Sequence, residues 1–185
     1  MDKCVADLES ITLDYRISES SLISTKQLLA NGQIDQFACS YLEVVAGELT
    51  IEIQHVNFSL KSTSWPFPVL AHIVDLREIC ARLASQPGLG PQQFDGLDGD
   101  FWYELELLTP VESAERLLRF SDSQDPRRVA VCSFDAFCIC LSEISDRLYR
   151  ELSNLSPDID SENLKFLHSA LKLGNESDIR TNNDS

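Results

Sequence analysis

The sequence predicts an α+β fold: a mainly antiparallel sheet with helices packed on one face. Several short segments alternate apolar and polar residues, the pattern of strands with one buried face. Longer segments carry apolar residues at steps of three and four, the stripe of an amphipathic helix. Their order is strands, helix, strands, then helices, with no internal repeat and no regular strand–helix alternation.

Ser10 to Ser18 alternates cleanly, with Ile11, Leu13, Tyr15 and Ile17 on one side and Thr12, Asp14 and Arg16 on the other. A short helix is expected near Leu22–Leu29, ended by Asn31-Gly32. Phe37–Val45 and Glu48–Leu60 read as strands joined by a tight turn at Ala46-Gly47. Apolar parity changes between Ile53 and Val56, which predicts a bulge at Gln54-His55. Trp65-Pro66-Phe67-Pro68 then breaks the strand, and a helix should start after Pro68. Its buried stripe would be Val69, Ile73, Leu76, Cys80 and Leu83, with Glu78 and Arg82 outside.

Pro87 to Gly99 reads as a long loop, Phe101–Leu108 as a strand, and Arg116–Phe120 and Val129–Phe134 as two more around a Ser121–Pro126 turn. Asp135 is a candidate N-cap for a helix whose stripe is Phe137, Leu141, Ile144, Leu148, Leu152 and Leu155. Charged residues four apart, such as Glu143/Arg147 and Asp146/Arg150, would lie on its outer face. A last helix is expected over Ser161–Leu173, ended by Gly174. Residues 1–174 are read as one domain and 175–185 as a polar tail with nothing to bury.

The chain has 185 residues and 30 Asp+Glu against 15 Lys+Arg, a net charge of −15. That charge argues against nucleic acid, whose binding needs cations to displace counterions, and against an anionic membrane face. It favours a basic protein partner reached by electrostatic steering. The first residues lack the apolar core of a secretory signal, so a cytoplasmic location is expected. The six cysteines then read as reduced, mostly buried thiols.

Chemistry-bearing motifs are scarce. There is no Gly-rich phosphate loop, nucleophile elbow or cysteine pair with zinc spacing. His55, His72 and His168 fall on separate elements, and His72, three residues before Asp75, reads as a packed structural histidine. The acids of Asp95–Asp100 lack the alternating calcium-loop spacing. No cofactor, metal or catalytic residue is expected, and the chain reads as non-enzymatic; an enzyme with dispersed residues is the alternative that a deep polar pocket would favour.

What remains is the distribution of charge. Residues 1–115 hold 18 acids and 6 bases, a net of −12, and no Lys or Arg occurs between Leu83 and Glu115. On the strand there, Phe101, Tyr103, Leu105 and Leu107 point one way and Asp100, Trp102, Glu104 and Glu106 the other. With the first set in the core, a tryptophan stands among carboxylates at the surface, where binding hot spots concentrate. The other reading puts Trp102 beneath the C-terminal helices, with Glu104 and Glu106 guarding a sheet edge. The candidate partner-binding residues are Asp95, Asp98, Asp100, Trp102, Glu104 and Glu106.

The succession is a strand after Gly47 (Glu48-Leu49-Thr50-Ile51-Glu52-Ile53), a Pro-led helix with Leu70 and Leu76, and an aromatic-acidic strand (Phe101-Trp102-Tyr103-Glu104-Leu105). A strand ending in Ser133-Phe134 and a long helix through Asp146-Arg147-Leu148-Tyr149 follow. Over about residues 35–155 this layout resembles that of small immunity proteins of bacterial polymorphic-toxin systems, contact-dependent or type VI-like. The resemblance implies stoichiometric neutralisation of a cognate basic toxin, such as a nuclease, by a monomer or weak dimer. A type III-like secretion chaperone is the alternative, which an obligate dimer in sedimentation would favour. A DNA mimic would need an elongated row of phosphate-spaced carboxylates, and none is visible.

Overall fold

The computed structural model describes residues 10–31, 45–61, 67–86, 88–95, 102–108 and 115–155. The alternating segment after Ser10 is strand β1, Ile11–Ile17, with Leu13 and Tyr15 buried and Thr12, Asp14 and Arg16 exposed. It pairs antiparallel with β2, Ala46–Ile53, from Ile11 opposite Ile53 to Ile17 opposite Gly47. Helix α1, Glu19–Ala30, lies between them in sequence and starts earlier than expected because Ser18 Oγ accepts the Ser21 N–H at 3.3 Å. Hydroxyls tie α1 to β2: Ser21 Oγ and Thr25 Oγ1, on buried residues, accept from the Ala46 and Val45 amides at 2.6 and 3.1 Å.

Two turns differ from expectation. Ala46-Gly47 is not a hairpin turn but the start of β2, where it also pairs with β5, Phe67–Pro68. Glycine serves close approach there, since a Cβ on Gly47 would stand 1.8 Å from the Arg16 carbonyl oxygen. The backbone outlier is the preceding Val45, with φ of 52°. At Gln54-His55 the parity changes through a two-residue hairpin rather than a bulge: Ile53 faces Val56 of β3, Val56–Asn57, and both turn residues have positive φ, 50° and 67°. That is the type I′ signature, carried here without the usual Asn or Gly. β4, Leu60–Lys61, completes this first sheet on β2. Of the expected Phe37–Val45 strand, residues 37–44 lie outside the described residues.

Helix α2, Val69–Ser85, begins directly after Pro68, and all five residues of its expected stripe are buried. His72 is buried too, with Nδ1 2.9 Å from the Pro68 carbonyl and its ring against Phe67 and Phe94. The expected loop after Pro87 contains a strand, β6, Gln92–Asp95, which buries Phe94. Pro87, Gly88, Gly90 and Pro91 before it and Gly96 and Gly99 after it disguise so short an element. β7 (Trp102–Leu108), β8 (Leu117–Asp122) and β9 (Val129–Ser133) follow, giving a second, wholly antiparallel sheet in the order β6-β7-β8-β9.

Helix α3 spans Phe134–Leu155. Its N-terminal cap is Ser133, whose Oγ accepts the Ala136 N–H at 3.4 Å; Asp135 lies two residues on, within the first turn, and pairs with Arg116 instead. Phe137, Leu141, Ile144, Leu148 and Leu152 are buried as expected. The outer charges reach β1 rather than one another: Arg147 pairs with Asp14 and lies 4.4 Å over the Tyr15 ring, and Tyr15 Oη donates to Glu151 at 2.8 Å.

The fold is therefore α+β with two antiparallel sheets and the helices packed against them. One buried cluster joins Leu49 and Ile51 of the first sheet, Leu76 and Leu148 of the helices, and Leu105 and Phe120 of the second. Phe58 bridges the sheets, with its ring 5.5 Å from Tyr103 and 4.8 Å from Phe120. Over it lies Arg128, which pairs with Asp122 at 2.9 Å and donates to the Asn57 carbonyl. The expected helix 161–173, His168 and the 175–185 tail lie outside the described residues. Among the described residues, no helix is long and apolar enough to cross a membrane.

Cys80, Cys132, Cys138 and Cys140 are free thiols. Burial pushes the Cys132 thiol up to about 12 from 9.0. Because the folded state holds this proton more tightly than the unfolded chain, the associated stability is full below about pH 9 and is lost as pH rises towards 12. Urea midpoints measured from pH 7 to 11 should fall above pH 9, and Cys132→Val should flatten that decline. An equal decline in the variant would remove Cys132 as its cause.

Candidate functional site

Burial alternates along β7 from Trp102 to Glu106, and this alternation assigns its two faces. Tyr103 and Leu105 are buried against the helices and the first sheet, while Trp102, Glu104 and Glu106 are half-exposed on the opposite, outer face. The indole therefore does not belong to the core row. The antiparallel register extends this face across neighbouring strands. Asp95 stands opposite Trp102, Gln93 opposite Glu104, Glu106 opposite Arg119, and Leu108 opposite Leu117. One strand further, Arg119 is opposite Val131, and Ser121 is opposite Val129.

The charge on this face is less uniform than the sequence suggests. Arg119 Nη1 donates to Glu106 Oε2 at 3.0 Å, offsetting that carboxylate across the strands. Glu104 Oε1 accepts from Trp102 Nε1 at 3.4 Å, which orients the indole along the strand beside an acidic group. Trp102 is anchored at its backbone as well, its amide donating to Ser123 Oγ at 3.0 Å and its carbonyl accepting from the Ser123 amide at 3.0 Å. Of Asp95 only the backbone position is described, and Asp98 and Asp100 lie outside the described residues.

The structure thus brings Trp102, Glu104 and Glu106 together with the backbone of Asp95. It adds residues that sequence reasoning did not select: Leu108, Leu117, Arg119, Val129 and Val131, all half-buried. The alternation of β8 and β9 could have nominated them, since Leu118, Phe120, Ala130 and Cys132 mark the inner rows. What no alternation supplies is which of those residues lies beside Trp102. Together they make a patch with an aromatic anchor, aliphatic flanks and one carboxylate held at the indole edge.

A scan against protein-family models finds no match, and searches of curated proteins and of solved structures find none. The outer face of the second sheet is thus characterised by its own geometry alone. Among the described residues, no group of three or more His, Cys, Asp or Glu side chains is placed to hold a metal ion.

Proposed function

We propose that the chain is a non-catalytic, protein-binding inhibitor that neutralises a cognate basic toxin, with the outer face of the second sheet as its docking surface. The observation that carries the reading is Trp102, half-exposed on the side of β7 away from the core and hydrogen-bonded to Glu104. Large amphipathic aromatics beside charge are the residues on which binding energy concentrates. The net charge of −15 supplies long-range attraction for a cationic surface. The order of elements read from the sequence, which resembles that of small immunity proteins, supports a toxin as the partner.

In this reading the roles divide. Trp102 fills a pocket on the partner and governs dissociation, while Glu104 and the acidic segment around it govern association. Glu106 contributes less, because Arg119 already offsets it.

The test is binding of the purified protein to a basic toxin module encoded beside its own gene, if the genome holds one there, and otherwise to a panel of basic toxin nuclease modules, followed by surface-based kinetics at low and physiological salt. A one-to-one complex is expected, with association slowed as salt rises. Trp102→Ala should speed dissociation by about tenfold or more, as the loss of a hot-spot residue does. Glu104→Lys should slow association. Absence of a complex, or kinetics indifferent to both substitutions, would overturn the reading.

A further inference from the structure

A second feature lies away from the docking face, where α2 and α3 pack together. Two thiols, one from each helix, meet there. Cys80, on the buried stripe of α2, and Cys138, in the second turn of α3, share a side-chain hydrogen bond. Both stand in the wall of one cavity of about 160 Å³, beside Ala81 and Ala84 of α2 and Phe134 and Leu141 of α3. The helical period accounts for the meeting on the α3 side. Cys138 is four residues after Phe134 and three before Leu141, and so shares their face.

The two sulfurs are not equivalent. Cys80 is 5% exposed, whereas Cys138 is half-buried and is the member of the pair that solvent reaches. Donation from Cys80 holds the Cys138 thiol below its usual range, and Arg116 and Arg77 add to this against burial and Asp135. The same bond, together with burial, pushes the Cys80 thiol well up. Cys138 is therefore the sulfur that ionises and attacks, and Cys80 the one that keeps its proton.

The other described cysteines stand apart from this pair. Cys132 is fully buried on β9. Cys140, two residues beyond Cys138, is turned to a different groove, beside Ile11 and Leu13 of β1.

We infer that Cys138 is an oxidation site for hydrogen peroxide, that Cys80 is its resolving partner, and that the product is a disulfide fastening α2 to α3. Hydrogen peroxide, about the bulk of two waters at about 30 Å³ each, fits in the cavity. The Cys138 thiolate attacks one peroxide oxygen and the O–O bond breaks. Cys138 becomes a sulfenic acid, and the departing hydroxide takes up the proton that Cys138 released. The Cys80 sulfur then attacks the Cys138 sulfur, the S–O bond breaks, and hydroxide leaves as water with the Cys80 proton. Two thiols and one hydrogen peroxide thus give one disulfide and two waters; the sulfurs lose two electrons and the peroxide gains them. A dithiol reductant reverses the change by thiol–disulfide exchange. The site does not rest on the toxin-binding reading, since none of the docking-face residues lines the cavity.

The test treats the reduced full chain with hydrogen peroxide, caps remaining thiols with N-ethylmaleimide in urea, and maps the peptides without reduction. Cys80 and Cys138 should lose their free thiols together and in equal amount, appearing as one linked peptide pair lighter by two hydrogens. Dithiothreitol should restore both, and Cys140 should stay free while they react. In Cys80→Ala the resolving sulfur is gone, so a dimedone adduct of Cys138 should accumulate several-fold above the wild-type level. The wild-type map decides the matter even if Cys80→Ala fails to fold. Free thiols left unchanged, Cys138 oxidised with Cys80 still free, Cys138 linked to another cysteine, or the same linkage formed as fast in the urea-unfolded chain would overturn the inference.

Discussion

Gly47→Ala is expected to destabilise the protein by about 3–5 kcal/mol, at the severe end for a single substitution. The added Cβ would stand 1.8 Å from the Arg16 carbonyl oxygen and 2.9 Å from the Ile17 Cα, both backbone atoms that cannot swing aside. Relief requires β1 and β2 to separate at the end of their register, where Ile17 faces Gly47 and the Ser18 amide donates to the Ala46 carbonyl at 2.9 Å. The same movement strains the α1 hydroxyl bonds to Val45 and Ala46. Urea denaturation followed by far-UV circular dichroism measures the loss. A cost under about 1 kcal/mol would mean that the strands are not held this closely.

Phe58→Ala should cost about 3–5 kcal/mol, for a different reason. Phe58 is fully buried where the hairpin of the first sheet meets the second, against Tyr103, Phe120 and the Arg128 guanidinium. Removing the ring leaves a cavity between two sheets whose positions are set by the helices, so collapse is limited. It also removes the ring beneath Arg128, which links Asp122 of β8 to the Asn57 carbonyl. A double-mutant cycle with Tyr103→Leu should give a coupling of about 1 kcal/mol, as edge-on aromatic pairs do. Additive effects would show that Phe58 and Tyr103 act separately and that the sheets are joined elsewhere.

Much of the scaffold was legible from local pattern. The stripe Val69, Ile73, Leu76, Cys80, Leu83 announced α2, and the rows in β1 and β7 announced their buried sides, because side-chain direction follows from helical and strand periods alone. The parity of β7 put Trp102, Glu104 and Glu106 on one face but left open whether helices cover it; the half-exposure of all three came from the structure. Turns were less legible. Ala46-Gly47 looks like a hairpin turn, but the glycine answers to a neighbouring strand. Gln54-His55 takes positive φ without favourable residue types, because Val56 and Phe58 must face inward after the reversal. β6 was hidden because four residues between prolines and glycines carry too little periodicity.

By itself, then, the sequence determined most of the helices and longer strands among the described residues, which of their faces are apolar, and that the molecule carries a large negative charge. Those properties follow from near neighbours and from composition. Tertiary structure alone decided that the strands divide between two sheets, that Arg119 offsets Glu106 across a strand pair, and that the Cys80 and Cys138 thiols meet across two helices. Each depends on register or on the packing of elements distant in the chain, and alternation specifies a face without specifying what lies opposite it.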